Sequence, residues 1–221
     1  MVPPSLDALR NWLSQPVGRR STRMSAESLE ELLARVRACR LCEASLPLGP
    51  LPVLRASGTA RVLIVGQAPG RRVHATGIPW NDPSGDRLRD WLELSKEEFY
   101  DESRIAIIPV GLCYPGTLPE GSGDAPPRPE CAPFWHPQLR AALPGIRLTL
   151  LVGAHAQAFY LKKRVGRTLA ATVETGYQFL PDFLPLPHPS PRNLRWFRNH
   201  PWFEREILPD LRRRVRALLR G

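Results

Sequence analysis

Four short apolar runs, each closed by a glycine or a proline, constrain this chain more than any other feature. They are Arg61–Val65 (RVLIV), Ile105–Val110 (IAIIPV), Leu148–Val152 (LTLLV) and Phe183–Leu186 (FLPL). A strand with one wet face alternates polar and apolar side chains. A strand that is apolar throughout is covered on both faces, as in a parallel sheet wrapped by helices. Between and after the runs, Asp86–Leu94, Ala132–Leu143, Ala154–Lys163 and a long Arg-rich stretch, Pro201–Leu219, read as helices. The alternation predicts an α/β fold: a three-layer sandwich with a central, mostly parallel four-stranded sheet. Ligands of such sheets sit outside the carboxyl ends of the strands, so the segments after Val65, Val110, Val152 and Leu186 are the places to look. Pro109 has no N–H to give a ladder and must stand at a strand end or a bulge.

A chain of 221 residues suits one substantial core. Residues 25–221 are expected to form a single domain, and residues 1–24 a basic tail in which Arg19, Arg20 and Arg23 follow without apolar periodicity. That segment reads as a transit peptide or as lying upstream of a true start at Met24; both stay open. Ser25–Val36 is predicted helical with Ser25 as N-cap, and delivers the chain to Cys39 and Cys42. No apolar run reaches the roughly 18–20 residues of a membrane span, and no signal-peptide core is visible, so a soluble, cytoplasmic protein is expected, as a monomer. The formal charge of +10 and pI near 10.3 favour a polyanionic partner through counterion release, with a merely solubilising surface as the plain alternative. Four cysteines in that compartment argue against disulfides.

Three segments carry candidate chemistry. Gly66-Gln67-Ala68-Pro69-Gly70 follows the first strand, where glycines let backbone amides approach a ligand. Gly77-Ile78-Pro79-Trp80-Asn81-Asp82-Pro83-Ser84-Gly85-Asp86-Arg87-Leu88 brings an aromatic and polar groups to a helix N-terminus; read plainly, it is a core Trp beside a helix cap. His188-Pro189-Ser190-Pro191-Arg192-Asn193-Leu194 follows the last strand, where a His can donate to a developing oxyanion or simply be a satisfied structural residue.

In order and spacing, GQAPG, six residues, GIPWNDPSGDRL and later HPSPRN resemble the uracil-DNA glycosylase superfamily, nearest to its iron–sulfur, thermophile-type branch. The resemblance spans about residues 36–200. It extends to the cysteines: Cys39 and Cys42 form a CxxC, Cys113 follows after 70 residues and Cys131 after 17 more. The resemblance implies a uracil-DNA glycosylase-like fold and a structural [4Fe–4S] cluster on these four residues, with zinc as the alternative. It also implies an enzyme of base excision repair that flips a damaged base out of DNA and hydrolyses its N-glycosidic bond. His188 would donate to the departing base, Trp80 would stack on it, and the Gln67–Gly70 backbone, Ala68 and Gly70 included, would line the pocket.

The sequence departs from the family pattern at three places. Ala68 stands where well-known members carry a water-positioning Asp. Gln67 replaces a Glu, and Pro109 stands where the branch carries an Asn that reads uracil's pairing edge. Asn81 is the expected substitute for that amide. Gln67, His74 and Asp82 are the expected holders of the water, each also readable as a loop former, a cap or a solvated side chain. Ser190, Arg192, Asn193, Leu194 and Arg195, with Arg71 and Arg72, are the expected DNA contacts. Arg212, Arg213, Arg214 and Arg216 read as a solvated face. The departures keep open a catalytically weak or inactive member that only binds damaged DNA.

Overall fold

The computed structural model describes residues 27–119 and 123–220; the 1–24 segment and Ser25 lie outside the described residues. In chain order the elements are α1 (Leu29–Arg37), β1 (Val62–Val65), α2 (Arg71–Thr76), α3 (Pro83–Leu92), α4 (Lys96–Phe99), β2 (Ile105–Ile107), α5 (Cys131–Ala141), β3 (Leu148–Val152), α6 (Ala154–Leu161), α7 (Leu169–Glu174), β4 (Phe183–Leu186), α8 (Leu194–Asn199) and α9 (Leu208–Arg220), with short 3₁₀ turns between some of them.

The four apolar runs are the four strands. They form one all-parallel sheet in the order β2-β1-β3-β4, with Val62 opposite Ile105 and Leu148, and Leu150 opposite Leu184. Both faces are covered, which is why no strand alternates. Leu63, Val65, Ala106, Ile108 and Leu151 pack against α1, α5 and α6 through Val36, Leu139 and Ala156. Val62, Ile64, Ile105, Ile107, Leu150 and Leu186 pack against α3 and α9 through Leu88, Leu92, Leu211 and Val215. Buried aliphatic side chains of this kind each contribute about 1.5–3 kcal/mol. Among the described residues no helix is long and apolar enough to cross a membrane.

Several predicted boundaries move, each for a local reason. The first helix begins at Leu29 because Ser28 caps it, accepting from Glu31 N while the Glu31 carboxylate accepts from Ser28 N at 2.8 Å. The helix predicted from Asp86 starts at Pro83, since Asp82 caps Gly85 N and a proline suits the first helical position. The C-terminal helix opens with a π segment, Phe203–Ile207, before α9. Pro209 offers no N–H to the carbonyl of residue 205, and a wider turn accommodates the gap. On α9, Arg213 and Arg214 pair with Asp210, and Arg212 and Arg216 with Glu93.

Candidate functional site

The carboxyl ends of the strands open into one cleft of about 580 Å³. Its first wall is the 66–70 loop, its second the 79–84 segment entering α3, and its third the 188–193 turn after β4.

The second wall is held by unusual means. Trp80 has φ +57°, a left-handed conformation that a bulky residue adopts only when its surroundings hold it there. Here Arg89, 5% exposed, donates to the Trp80 carbonyl at 3.2 Å, and the Tyr100 hydroxyl donates to Pro79 O at 2.8 Å. Two glycines make room. A Cβ on Gly66 would stand 2.7 Å from the indole, and one on Gly85 would stand 1.7 Å from the Trp80 carbonyl oxygen. Gly66, from the first motif, and Gly85, from the motif that carries Trp80, are therefore a steric requirement of its pose.

The third wall locks itself. Ser190 N donates to His188 Nδ1 at 3.2 Å, Asn193 Nδ2 donates to His188 O at 2.8 Å, and Arg192 N donates to Ser190 Oγ at 3.2 Å. From α3, Arg87 donates to Pro189 O at 3.2 Å. With Nδ1 accepting, the neutral imidazole carries its proton on Nε2 and is a donor there. Burial holds the His188 pKa below its ordinary value, with Asp82 opposing and His155 adding to that effect, so the ring is neutral at physiological pH. The Trp80 and His188 rings lie 5.6 Å apart at 34°, on the same cleft. The indole supplies a flat apolar face and the imidazole a directed N–H, the pair of groups that a planar heterocycle with a carbonyl would meet.

Of the residues singled out from sequence, Gln67, Ala68, Gly70, Trp80, Asp82 and His188 line the cleft, and so do Ser190, Arg192 and Asn193. Others stand elsewhere. His74 lies on α2 beside Tyr114, centroids 6.0 Å apart, with Nδ1 buried and unbonded among the described residues; Val73 takes the place on the cleft wall. Asn81, between Trp80 and the Asp82 cap, is not among the residues that line the cleft. Arg71, Arg72, Leu194 and Arg195 are exposed outside the cleft. Gln67 and Asp82 are partly committed. Gln67 Nε2 donates to Ala125 O at 3.3 Å, and Asp82 Oδ1 accepts from Gly85 N at 2.8 Å.

The floor at Pro109 offers little to a ligand. Its carbonyl accepts from His136 Nε2 at 3.0 Å, and His136 Nδ1 meets the Tyr160 hydroxyl at 2.8 Å. Burial pushes the His136 pKa down to about 4. Sequence reasoning missed His136, as well as Arg87, Ser84 and Asp124. The last two line the cleft, and only their position in folded space marks them.

The four cysteines come together away from the cleft. Cys39, Cys42, Cys113 and Cys131 line one small, mainly apolar hollow with Leu46, Leu112 and Trp135. Trp135 Nε1 donates to Cys39 Sγ at 3.2 Å and Leu112 N to Cys131 Sγ at 3.3 Å. Burial, with the neighbouring sulfurs adding to it, pushes Cys113 up to about 11 and Cys131 up to about 12. Among the described residues no three His, Cys, Asp or Glu side chains are arranged to hold a single metal ion.

The family model of the uracil DNA glycosylase superfamily matches residues 55–212, which takes in all four strands and all three cleft walls. Among solved structures, a solution structure from Methanosarcina acetivorans, described provisionally as a uracil DNA glycosylase, is 16% identical. The match covers 73% of this chain and 97% of that one, at a TM-score of 0.43.

Proposed function

Because the chain belongs to the uracil DNA glycosylase superfamily, we propose that it is a DNA repair glycosylase that extrudes uracil or a related deaminated base into this cleft and hydrolyses the bond to its sugar. The observation that carries the reading is the convergence of Trp80 and His188 on one cleft from two distant segments of chain. Trp80 stacks on the extruded base, a contact that contributes about 1–3 kcal/mol. His188 donates from Nε2 to the base carbonyl, where negative charge accumulates as the bond breaks. Because the ring is neutral and its other nitrogen is tied to Ser190 N, the donor is aimed before the substrate arrives.

The turn carrying Ser190, Arg192 and Asn193 lies at the cleft and supplies contacts to the DNA backbone, with Leu194 and Arg195 exposed just beyond it. The net charge of +10 supplies the non-specific part of the affinity. With the Pro109 carbonyl committed to His136, and Asn81 off the wall, no side-chain amide reads the pairing edge from those two positions. Discrimination among deaminated bases is accordingly loose.

The cysteine hollow is read, in the same proposal, as the seat of a structural [4Fe–4S] cluster. The shared hollow and the N–H donors aimed at sulfur suit thiolate ligands, whose sulfurs accept such bonds. Bound there, a cluster would tie α1's exit, the 111–113 segment and the start of α5 together; the reaction uses none of it.

The test is excision itself. Purified protein is incubated with oligonucleotides carrying uracil, hypoxanthine or xanthine, and abasic sites are revealed by alkaline cleavage. Product that disappears in His188→Ala supports the reading. Binding to damaged DNA with no abasic product from any substrate sinks it and favours the non-catalytic alternative, which the committed amide of Gln67 also suits.

A further inference from the structure

We propose that Asp124, on the 116–127 loop, is the carboxylate that holds and deprotonates the attacking water in this cleft. The assignment rests on the glycosylase reading and adds to it a residue that no motif in the sequence marks.

Hydrolysis at an anomeric carbon needs a water held on the face opposite the departing base, and a group to take its proton. Among the described residues two carboxylates line the cleft, Asp82 and Asp124. Asp82 is the N-cap of α3 and spends Oδ1 on Gly85 N. Asp124 has no hydrogen-bond donor committed to its carboxylate among the described residues. Its Oδ2 stands over the first wall, 3.1 Å from where a Cβ on Gly70 would be, so the glycine lets the carboxylate lie close against that wall.

The described residues around Asp124 are held by hydrogen bonds, although its side chain is exposed at the mouth. Leu118 N donates to Gly123 O and Ala125 N to Gly116 O, both at 2.8 Å, and Gln67 reaches across the cleft wall to Ala125 O. Gly116 and Gly123, at φ +102° and +151°, provide the backbone turns on either side. A Cβ on Gly123 would stand 2.4 Å from an Arg192 nitrogen, so the loop also abuts the DNA-facing turn. Gln67 thereby acts as a positioning residue.

Electrostatics favours a catalytic use over a binding one. An acid at the mouth of a site for a polyanion opposes ground-state binding. It matches the positive charge that grows on the sugar as the bond breaks, and an interaction stronger in the transition state than in the ground state accelerates the reaction. In the step, the C1′–N bond breaks with its electron pair going to the base. The water oxygen bonds to C1′, and Asp124 takes one water proton, later released to solvent. The departing base anion, held by His188 Nε2–H, takes its proton from solvent. Burial raises the Asp124 pKa, with Arg192 opposing and Asp82 assisting. Among the described residues these two are the charged groups that face it.

The experiment compares wild type, Asp124→Asn, Asp124→Glu and Asp82→Asn on the base that wild type excises best. Single-turnover rates are measured from pH 4.5 to 8.5, alongside affinity for a duplex carrying a tetrahydrofuran abasic analogue. Asp124→Asn is expected to be slower by about 10²-fold or more, to bind the analogue as tightly as wild type or tighter, and to lose the acid limb of the rate profile. Asp124→Glu retains an intermediate rate and that limb. If Asp124→Asn excises at the wild-type rate, if its defect is only weaker binding, or if Asp82→Asn removes the acid limb instead, the assignment is wrong while the glycosylase reading stands. If wild type itself gives no abasic product, the reading fails and the assignment falls with it.

Discussion

The cleft and the cysteine hollow sit on the same fold and are built in opposite ways. The cleft is wide, polar at its rim, and assembled from three loops whose side chains are aimed by hydrogen bonds from behind: Arg89 and Tyr100 on one wall, Arg87 and Asn193 on another. The hollow is small and apolar, and its sulfurs are arranged by the elements that enter it. One helix serves both, because α5 begins at Cys131 and one turn later places His136 beneath Pro109 on the cleft floor. A polar site tolerates exposure and depends on direction, whereas an apolar hollow depends on exclusion of water.

If the cleft depends on direction, removing one aimed donor should abolish activity and leave stability alone. His188→Ala is expected to slow excision by about 10²–10³-fold, the effect of removing a donor to a developing oxyanion, with a melting temperature within a degree or two of wild type. Next in size is Gly85→Ala, which brings a methyl group against the Trp80 carbonyl. The loop must move or α3 must unwind, and overpacking of this kind costs about 1–3 kcal/mol, with loss of excision, read by denaturant melts and the abasic-site assay. An unchanged Gly85→Ala would show that the pose of Trp80 is not what the cleft requires.

The shared helix gives a pH test. His136 is 2% exposed, and its folded pKa of about 4 lies below the ordinary value of 6.5. The unfolded chain therefore takes up a proton first as pH falls. The neutral, buried ring contributes full stability above pH 6.5 and progressively less between 6.5 and 4. Wild type is expected to lose about 3 kcal/mol across that window from this group; Arg140 adds to the depression, the hydrogen bond to Pro109 O opposes it, and Tyr160 stays neutral. His136→Gln should flatten that part of the stability profile, while His188→Ala flattens it less. Smallest of all, Ser28→Ala removes the capping box at the N-terminus of α1, the helix whose exit leads to Cys39, and Ser28 does not line the cleft. It should cost about 1 kcal/mol without changing the excision rate, and a rate change there would mean that the two regions are coupled.

The sheet was legible from sequence because parallel strands covered on both faces leave a pattern that needs no partner to be seen. RVLIV, LTLLV and FLPL are strands at nearly the expected bounds. The motifs that carry Trp80 and His188 stood out for a similar reason, since glycine and proline constrain their own neighbours, and the fold brings both side chains to one cleft. That Asn81 and His74 stand off the cleft lining was not legible, because a one-residue offset in a turn or a short helix changes where a side chain sits, and neither the φ of Trp80 nor the direction of α2 is written in residue type. Asp124 was invisible because it reaches the cleft from a loop far along the chain from Gly70.

By itself, the sequence determined the layers, the strands and the residue types able to do chemistry, since these follow from local hydrophobic period and from what glycine, proline and cysteine permit. The tertiary structure alone decided which polar groups are already spent. A carbonyl taken by His136, an amide taken by Ala125 and an oxygen taken by Gly85 are settled by hydrogen bonds between elements. Those bonds leave His188 Nε2 and the Asp124 carboxylate to face a substrate, because a donor or acceptor already satisfied inside the fold has nothing left to give one.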